Sequence, residues 1–283
     1  MSLKNKRVLI TGAARRIGRV LALAVARAGA DVVVHYGQSK TEAQSLCEEI
    51  QALGRNAYLL QAELSDPTQV DTLIPRAREY GYLFALVNNA AIFEPLTWAN
   101  TKVEDWDRHL LVNLTVPFLL SQAFARQLPS RKTGRIVNLL DWRALRPGAD
   151  HLPYTISKSA LAALTRSLAV ALAPRITVNG LAHGAILPPV TTGGTPVSTG
   201  GTPVETGGTP VETSETSLET GGTSVTTAGT PMQGIAPPNI LENVPAGRWA
   251  NMDEVGQALI FLLEGPAYIT GEIIHMDGGR HLV

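Results

Sequence analysis

The window Tyr154-Thr-Ile-Ser-Lys158 places a phenol and an ammonium four residues apart, which is one turn of a helix. An ammonium beside a phenol favours the phenolate, so Tyr154 is expected to exchange a proton closer to neutral pH than its free pKa of about 10 allows. Pairs of this kind also occur by chance on helix surfaces. The pair therefore indicates proton transfer only if other reactive groups converge on it.

Asn113 and Pro117 form a second candidate element, inside a helix predicted over 103–128. Because Pro117 has no N–H, the Asn113 carbonyl is predicted to be free in mid-helix and able to hold a water that relays protons. An ordinary kinked helix is the alternative, and the residues alone do not decide between them.

Asp141 is a third candidate, because it follows a predicted strand that ends at Leu140. Its carboxyl group could assist the tyrosine in moving a proton. It could instead be a buried structural acid paired with Arg143 or Arg146.

These residues need a scaffold, and the chain predicts an α/β domain. Apolar, β-branched segments alternate with amphipathic ones, which is typical of a parallel sheet covered by helices on both faces. Strands are predicted over 7–11, 31–36, 57–62, 83–88, 135–140, 176–180 and 272–277. Helices are predicted over 19–28, 41–53, 68–80, 103–128, 154–172 and 253–263. We expect one doubly wound, Rossmann-like domain over 1–283, with Asn88–Ala91 and Asp141 converging at the carboxyl edge of the sheet.

Residues 191–232 break this pattern, because they read as six heptads. These are TTGGTPV, STGGTPV, ETGGTPV, ETSETSL, ETGGTSV and TTAGTPM. With one apolar residue per unit and many glycines, serines and prolines, the segment cannot form a coiled-coil seam. It also buries too little apolar surface to offset the conformational entropy that ordering would cost. A flexible insert is predicted; a small glycine-rich β-solenoid or an oligomerisation element is the alternative.

A cofactor site is predicted where the first strand turns into the first helix, at Thr11–Gly18. Glycines there let the backbone approach a pyrophosphate, and the helix N-terminus supplies free N–H groups. The second strand does not end in the acid that would bind the ribose 2′-hydroxyl of NAD. Cations and a hydroxyl are available instead, which favours the 2′-phosphate of NADP(H). They are Arg15, Arg16, Ser39 and Lys40.

Composition excludes several other classes of protein. The chain has 24 basic and 24 acidic residues, so no overall charge favours nucleic acid or an anionic membrane. No stretch reaches the apolar length of a membrane span, and the charged start lacks the apolar core of a secretory signal, so a cytoplasmic location is expected. Cys47 is predicted to be a small buried hydrophobe, and no metal site is predicted.

Taken together, these motifs make the chain resemble the short-chain dehydrogenase/reductase family over its length outside the insert. The residues that carry the resemblance are Thr11–Gly18, Asn88–Ala91, Asn113, Tyr154, Lys158 and Met276–Gly279. The resemblance implies that Tyr154 donates a proton, that Lys158 binds the nicotinamide ribose and tunes Tyr154, and that Asn113 supports a water relay. It also implies a homotetramer built through the Asn113 and Tyr154 helices. The cofactor residues that it implies are Gly12, Arg15, Arg16, Ile17, Gly18, His35, Tyr36, Ser39, Glu63, Leu64, Asn89, Ala90, Ala91, Tyr154, Lys158, Gly184 and Ile186.

Two departures make the chain similar to the pteridine reductases within that family, including the dihydromonapterin reductases. Arg16 stands where most members carry glycine, and Asp141 stands where most carry a catalytic serine. In that group the arginine contacts cofactor phosphate and pterin, and the aspartate assists the tyrosine. Phe93 stands where an aromatic ring would hold the pterin against nicotinamide. Ala91 replaces a serine of the eukaryotic members, which removes one polar contact.

The resemblance thus implies an NADPH-dependent reductase of a dihydropterin, dihydromonapterin or dihydrofolate-like ring. Its substrate residues would be Arg16, Phe93, Asp141 and Tyr154. Two alternatives stay open. One is a carbonyl or 3-oxoacyl thioester reductase of the same family, in which Asp141 takes the role of serine. The other is a regulator that senses NADPH without turnover.

Overall fold

A computed structural model describes residues 2–184, 186 and 240–283. Seven parallel strands form one sheet in the order β3-β2-β1-β4-β5-β6-β7. The strands are β1 Arg7–Ile10, β2 Asp31–Tyr36, β3 Ala57–Gln61, β4 Ala85–Asn88, β5 Gly134–Asp141, β6 Ile176–His183 and β7 Ile273–Met276. The order reverses between β1 and β4, so the carboxyl ends of these two strands flank the crevice where open parallel sheets bind ligands. The predicted Rossmann-like fold is confirmed.

Seven α-helices lie in the part of the chain that the structure describes, and six of them cover the two faces of this sheet. The seven are α1 Arg16–Arg27, α2 Lys40–Ala52, α3 Pro67–Glu79, α4 Val103–Leu110, α5 Val116–Gln127, α6 Leu152–Leu172 and α7 Met252–Glu264. On one face, α1, α2 and α7 pack on alternate strand residues such as Val8 and Val32. On the other, α3, α5 and α6 pack on residues such as Leu9 and Val33. Each strand contributes side chains to both cores, because successive side chains point to opposite faces of the sheet.

The helix predicted over 103–128 forms without a break in the helical backbone over 103–127, but it contains a π-helical turn that the sequence did not predict. A π-helical turn at Leu111–Thr115 separates α4 from α5. Pro117 follows this turn inside the helical run and has no N–H to donate to the carbonyl four residues earlier, that of Asn113. The π-helical turn holds Asn113, which is almost fully buried. A sequence pattern with helical period does not distinguish an α from a π turn, since the two differ by one residue in hydrogen-bond spacing.

Strand β6 runs three residues further than predicted, to His183. The sequence predicts its end at Gly180, but Gly180 is a strand residue at which an added Cβ would lie 2.6 Å from the Leu140 side chain. Glycine is thus required there by close packing of the core and does not mark a turn. The extension aligns Asp141 of β5 with His183 of β6 and His183 with Met276 of β7.

The burial predicted for Cys47 is confirmed, and Asp66-Pro67 forms the start of a helix. Asp66 caps α3 by accepting from the Thr68 N–H at 2.9 Å, with Pro67 in the first turn. Cys47 is buried on α2 as a small apolar side chain. Within the described residues, no helix combines the length and apolar character needed to cross a membrane. The repeat segment 191–232 lies outside the described residues.

Candidate active site

Tyr154 and Asp141 form a buried hydrogen-bonded pair at the carboxyl edge of the sheet. Tyr154 lies in the first turn of α6, Asp141 is the last residue of β5, and the Tyr154 hydroxyl donates to Asp141 Oδ2 at 3.1 Å. The pKa of Tyr154 is raised well above 10 by burial and, after that, by the charge and hydrogen bond of Asp141. The expectation of a phenol that ionises near neutral pH is therefore wrong for the protein alone, because burial and the Asp141 carboxylate outweigh the opposing charge of Arg143. The phenol stays protonated.

Lys158 lies one turn after Tyr154 on α6 and is also buried. Its Nζ donates to the Leu139 carbonyl oxygen at 2.7 Å and lies 5.7 Å from the centre of the Tyr154 ring. Burial lowers the pKa of Lys158 to about 8, while Asp141 acts in the opposite direction. The pair predicted from spacing thus shares one buried space with Asp141.

The amide of Asn113 bonds to protein groups. It accepts from the Ile92 N–H at 2.9 Å through Oδ1, and it donates through Nδ2 to the Ile92 carbonyl at 3.0 Å and to Ser157 Oγ at 3.1 Å. Asn113 therefore ties the segment after β4 to α6. This side chain positions the loop that follows the cofactor crevice, and the role of its carbonyl in a water relay stays a prediction.

Asp141 is only weakly paired with arginine. Its Oδ1 accepts from the Arg143 backbone N–H at 2.9 Å, but the Arg143 guanidinium approaches it only to 4.0 Å and instead binds Asp150 Oδ2 at 2.7 Å. Arg146 donates to the carbonyl of Arg280. The alternative of a purely structural ion pair through Arg143 or Arg146 thus has little support, because the best contact of the Asp141 carboxylate outside its own turn is Tyr154.

Phe93, which the family resemblance predicts to be a substrate residue, lies beside this pair. Its ring meets the Tyr154 ring edge-on, with centres 4.6 Å apart, and stacks on the His151 ring at 4.0 Å. Half of the Phe93 side chain remains exposed, and the Arg143 guanidinium lies 5.9 Å from the ring centre. Aromatic, cationic and acidic groups therefore surround the tyrosine hydroxyl at one side of the crevice.

The glycine turn is built for close backbone approach. Gly12 has a left-handed φ of +61°, and an added Cβ on Gly18 would lie 2.1 Å from the Gly12 carbonyl oxygen. Asn89 donates through Nδ2 to the carbonyls of Thr11 and Gly12 at 2.8 and 3.2 Å. The backbone N–H groups of Asn89 and Ala90 donate to Thr11 Oγ1. The ends of β1 and β4 are thereby locked together.

A cavity of about 330 Å³ adjoins this turn. Its walls include predicted cofactor residues from four strand ends, namely Gly12, His35, Glu63, Leu64, Ala90 and Ala91. Open volume beside a glycine turn at the topological switch point fits the adenosine half of a dinucleotide. The other eleven predicted cofactor residues make no wall of this cavity. Among them, Tyr36 is buried at the end of β2, Ile186 is buried in the core, and the Gly184 N–H bonds to the Met276 carbonyl.

The residues predicted to select NADP(H) lie at the start of α1 and α2. Arg15 precedes α1 and lies 3.6 Å from Glu42, with both side chains largely exposed. Ser39 precedes α2 without a side-chain capping bond, and Lys40 is exposed in its first turn. Arg16 is exposed and has a left-handed φ of +52°, which explains why glycine is common at this position: a side chain there costs about 1 kcal/mol. Ile17 is half-buried on α1.

Sequence reasoning missed two groups near the pair formed by Tyr154 and Asp141. His183 pairs in register with Asp141, and burial lowers the pKa of its ring while Asp141 opposes that shift. Trp142 is stacked by the Arg280 guanidinium at 4.2 Å and lies 4.9 Å from Arg143. Correct placement of the end of β6 would have revealed His183, whereas the contact between Trp142 and Arg280 has no local signal in the sequence. Among the described residues, no cluster of three or more histidine, cysteine or acidic side chains could hold a metal.

Comparison with known proteins identifies the family of this chain. The family model for short chain dehydrogenases matches residues 6–195. The chain therefore belongs to the short-chain dehydrogenase/reductase family and is an oxidoreductase, as the sequence predicts.

Relatives with different names share this fold. A 3-oxoacyl-(acyl-carrier-protein) reductase of Synechocystis sp. is 30% identical over 275 residues, which cover 96% of this chain and 95% of the relative. The FolM alternative dihydrofolate reductase 1 of Brucella canis, complexed with NADP, has a TM-score of 0.78 at 30% identity, covering 100% of this chain and 97% of that one. A short chain dehydrogenase of Burkholderia cenocepacia in complex with NADP has a TM-score of 0.76 at 30% identity, covering 99% of each chain.

Proposed function

We propose that the protein uses NADPH to reduce a C=N bond of a pterin, such as a dihydropterin, dihydromonapterin or dihydrofolate-like ring. The observation that carries the proposal is the hydrogen bond from the buried Tyr154 hydroxyl to the Asp141 carboxylate. A serine would offer a hydroxyl suited to polarising a carbonyl, whereas a carboxylate accepts from the N–H groups of a pterin ring. The Brucella protein named as an alternative dihydrofolate reductase supports the choice of substrate.

The cofactor is NADP(H), which supplies the hydride. Reducing a C=N bond also requires a proton at nitrogen, and Tyr154 remains protonated because its pKa is raised. Asp141 fixes the direction of the tyrosine O–H bond and offers a second site for the proton. Lys158, with a pKa of about 8, carries a positive charge at neutral pH and stabilises negative charge left on the pair.

Phe93, Arg16 and Arg143 complete the proposed substrate site. The half-exposed ring of Phe93 offers an apolar face next to Tyr154 for a flat heterocycle. Arg16, whose side chain is exposed at the cofactor turn, is the proposed contact to cofactor phosphate and pterin. We also propose that the other cofactor residues predicted from the sequence contact NADP(H), and that the protein is cytoplasmic. We further propose a homotetramer through α5 and α6, because Phe118, Ile156 and Val170 on these helices are apolar and exposed.

Reduction of a 3-oxoacyl thioester is the second candidate, favoured by the Synechocystis relative. It requires Asp141 to act where a hydroxyl donor would be expected. A regulator without turnover is less well supported, because Tyr154, Lys158 and Asp141 share one buried space. Oxidation of NADPH that depends on Tyr154 would exclude it.

The substitution Asp141→Ser distinguishes the two substrates. Purified protein with NADPH is tested on dihydrobiopterin, dihydromonapterin, dihydrofolate and a 3-oxoacyl thioester. We expect Asp141→Ser to lower kcat/KM for the pterin about a hundredfold, the usual scale of a lost acid–base group. Asp107→Ser, which removes an exposed acid from α4, serves as control and leaves the rate unchanged. Reduction of the thioester alone, or its improvement by Asp141→Ser, would contradict the proposal.

A further inference from the structure

His35 is a buried histidine whose two ring nitrogens both bond to backbone. It lies near the end of β2 and is 2% exposed. Its Nδ1 is 3.1 Å from the Gly12 N–H in the glycine turn, and its Nε2 is 3.1 Å from the Ala62 carbonyl oxygen just after β3. The ring therefore bridges the turn between β1 and α1 to the end of the sheet's outermost strand.

The two partners fix the protonation of this ring. A carbonyl oxygen only accepts, so Nε2 carries the hydrogen and donates it to Ala62. A backbone N–H only donates, so Nδ1 must be bare and accept from Gly12. Only the neutral imidazole satisfies both contacts, because a second ring hydrogen would face the Gly12 N–H.

The surroundings keep the ring neutral. Burial lowers the pKa of His35 to about 4, and this exceeds the opposing effects of its bond to Ala62 and of the Glu63 charge. Arg76 on α3 lowers the pKa further. The bare Nδ1 is thus available to Gly12 throughout the neutral range.

The contact with Gly12 controls the shape of the turn. Gly12 has a φ of +61°, and its N–H donates to Nδ1 of the buried His35 ring. The next N–H, that of Ala13, bonds to the His35 carbonyl oxygen at 2.9 Å. Any residue at position 35 supplies that carbonyl, whereas only the ring supplies the acceptor for Gly12.

We propose that His35 is a positioning residue for the dinucleotide: its bare Nδ1 holds Gly12 in the conformation that receives the cofactor phosphates. It acts through the backbone of the turn and from inside the protein. The inference rests on the proposed use of NADP(H) and is independent of whether a pterin is the substrate.

Two substitutions separate the two hydrogen bonds. In His35→Asn the side-chain oxygen takes the place of Nδ1 and preserves the acceptor for Gly12. In His35→Gln the side-chain amide nitrogen takes the place of Nε2 and preserves the donor to Ala62. His35→Leu removes both. The control is His109→Asn, which alters another buried histidine that bonds within α4, at Asp105.

The measurements are the Kd for NADPH, by fluorescence titration without a second substrate, and the midpoint of thermal unfolding without cofactor. We expect His35→Gln and His35→Leu to raise Kd about tenfold, the ratio set by the net value of one hydrogen bond, while His35→Asn stays within about threefold of the unaltered protein. The unfolding midpoint of His35→Gln should be no lower than that of His35→Asn.

A merely structural role gives a different pattern. Loss of affinity that follows the fall in unfolding midpoint across all four variants, or rescue by His35→Gln with loss in His35→Asn, would overturn the proposal. Failure of the unaltered protein to bind NADPH would overturn it as well. A pterin that is not reduced by a protein that binds NADPH would contradict the proposed substrate and leave the His35 result valid.

Discussion

The two sides of the crevice are held together by different kinds of contact. On the cofactor side, the turn at Gly12 is held mainly through its own backbone, by Asn89, Thr11 and His35. On the substrate side, the residues after β5 are held mainly by one side chain on another. Examples are the ion pair from Arg143 to Asp150 and the stacking of Phe93 on His151.

This difference separates contacts that shape a general phosphate site from contacts that can be specific for one substrate. Backbone contacts through glycine, asparagine and threonine shape a phosphate site without reading the rest of the ligand. Side-chain contacts can be exchanged singly, so the substrate side can change its chemistry while the fold is kept. Asp141 illustrates this, because the strand that carries it would be the same if it ended in serine. We therefore expect substitutions on the two sides to affect different measured quantities.

The largest effect is expected from Asn89→Ala on the cofactor side. The substitution removes the donor to two carbonyl groups in the turn, those of Thr11 and Gly12. Leaving buried acceptors without a donor costs about 1–3 kcal/mol, so we expect Kd for NADPH to rise about 10- to 100-fold and the free energy of unfolding to fall. Fluorescence titration and chemical denaturation measure the two quantities.

The control for that substitution is Asn100→Ala, since Asn100 caps an exposed turn through Thr97. It should leave Kd unchanged. If Asn89→Ala lowered only the rate of the chemical step, and NADPH bound as before, the backbone of the turn would not be what positions the cofactor.

A smaller effect is expected from Arg143→Met on the substrate side. Methionine keeps much of the bulk beside Trp142 and Phe93 but removes the charge that binds Asp150. Because the ion pair is partly exposed, the free energy of unfolding should fall by no more than about 1 kcal/mol. We expect kcat/KM for the substrate to fall about tenfold with Kd for NADPH unchanged.

Arg146→Met provides the matched control, because the hydrogen bond of the Arg146 guanidinium within the described residues is a long one, 3.4 Å, to the carbonyl of Arg280. It should leave both quantities near their original values. An equal loss of NADPH binding in Arg143→Met would show that the two sides are not energetically separate.

The sequence predicts the cofactor side better than the substrate side, for a physical reason. The order of strands and helices, the glycine turn and the Tyr154 to Lys158 spacing follow from local periodicity and from residue types with few conformational alternatives. The structure confirms the fold, and it brings Tyr154, Lys158 and Asp141 into one buried space.

The features that were not predicted depend on contacts distant in sequence. The π-helical turn around Asn113 is tied to Ile92 and Ser157, which lie 21 and 44 residues away. The raised pKa of Tyr154 results from burial, which the spacing of residues does not report. His35 illustrates the same limit: the sequence places it near a cofactor, whereas its bonds to Gly12 and Ala62 arise only from strand order.

The smallest effects are expected from Arg16→Gly, which should stabilise the fold but weaken the binding of NADPH. Arg16 has a left-handed φ of +52°, which glycine adopts without steric cost. The substitution should raise the free energy of unfolding by about 1 kcal/mol and the unfolding midpoint by about 2–4 °C. Kd for NADPH should rise severalfold, because an exposed cation at the phosphate turn is lost. Asn5→Gly, at a φ of +60° remote from the crevice, should raise stability slightly and leave Kd unchanged. If Arg16→Gly raised stability and left the affinity for NADPH and for substrate unchanged, the proposed role of Arg16 would be wrong. The left-handed backbone at this position would then serve neither ligand.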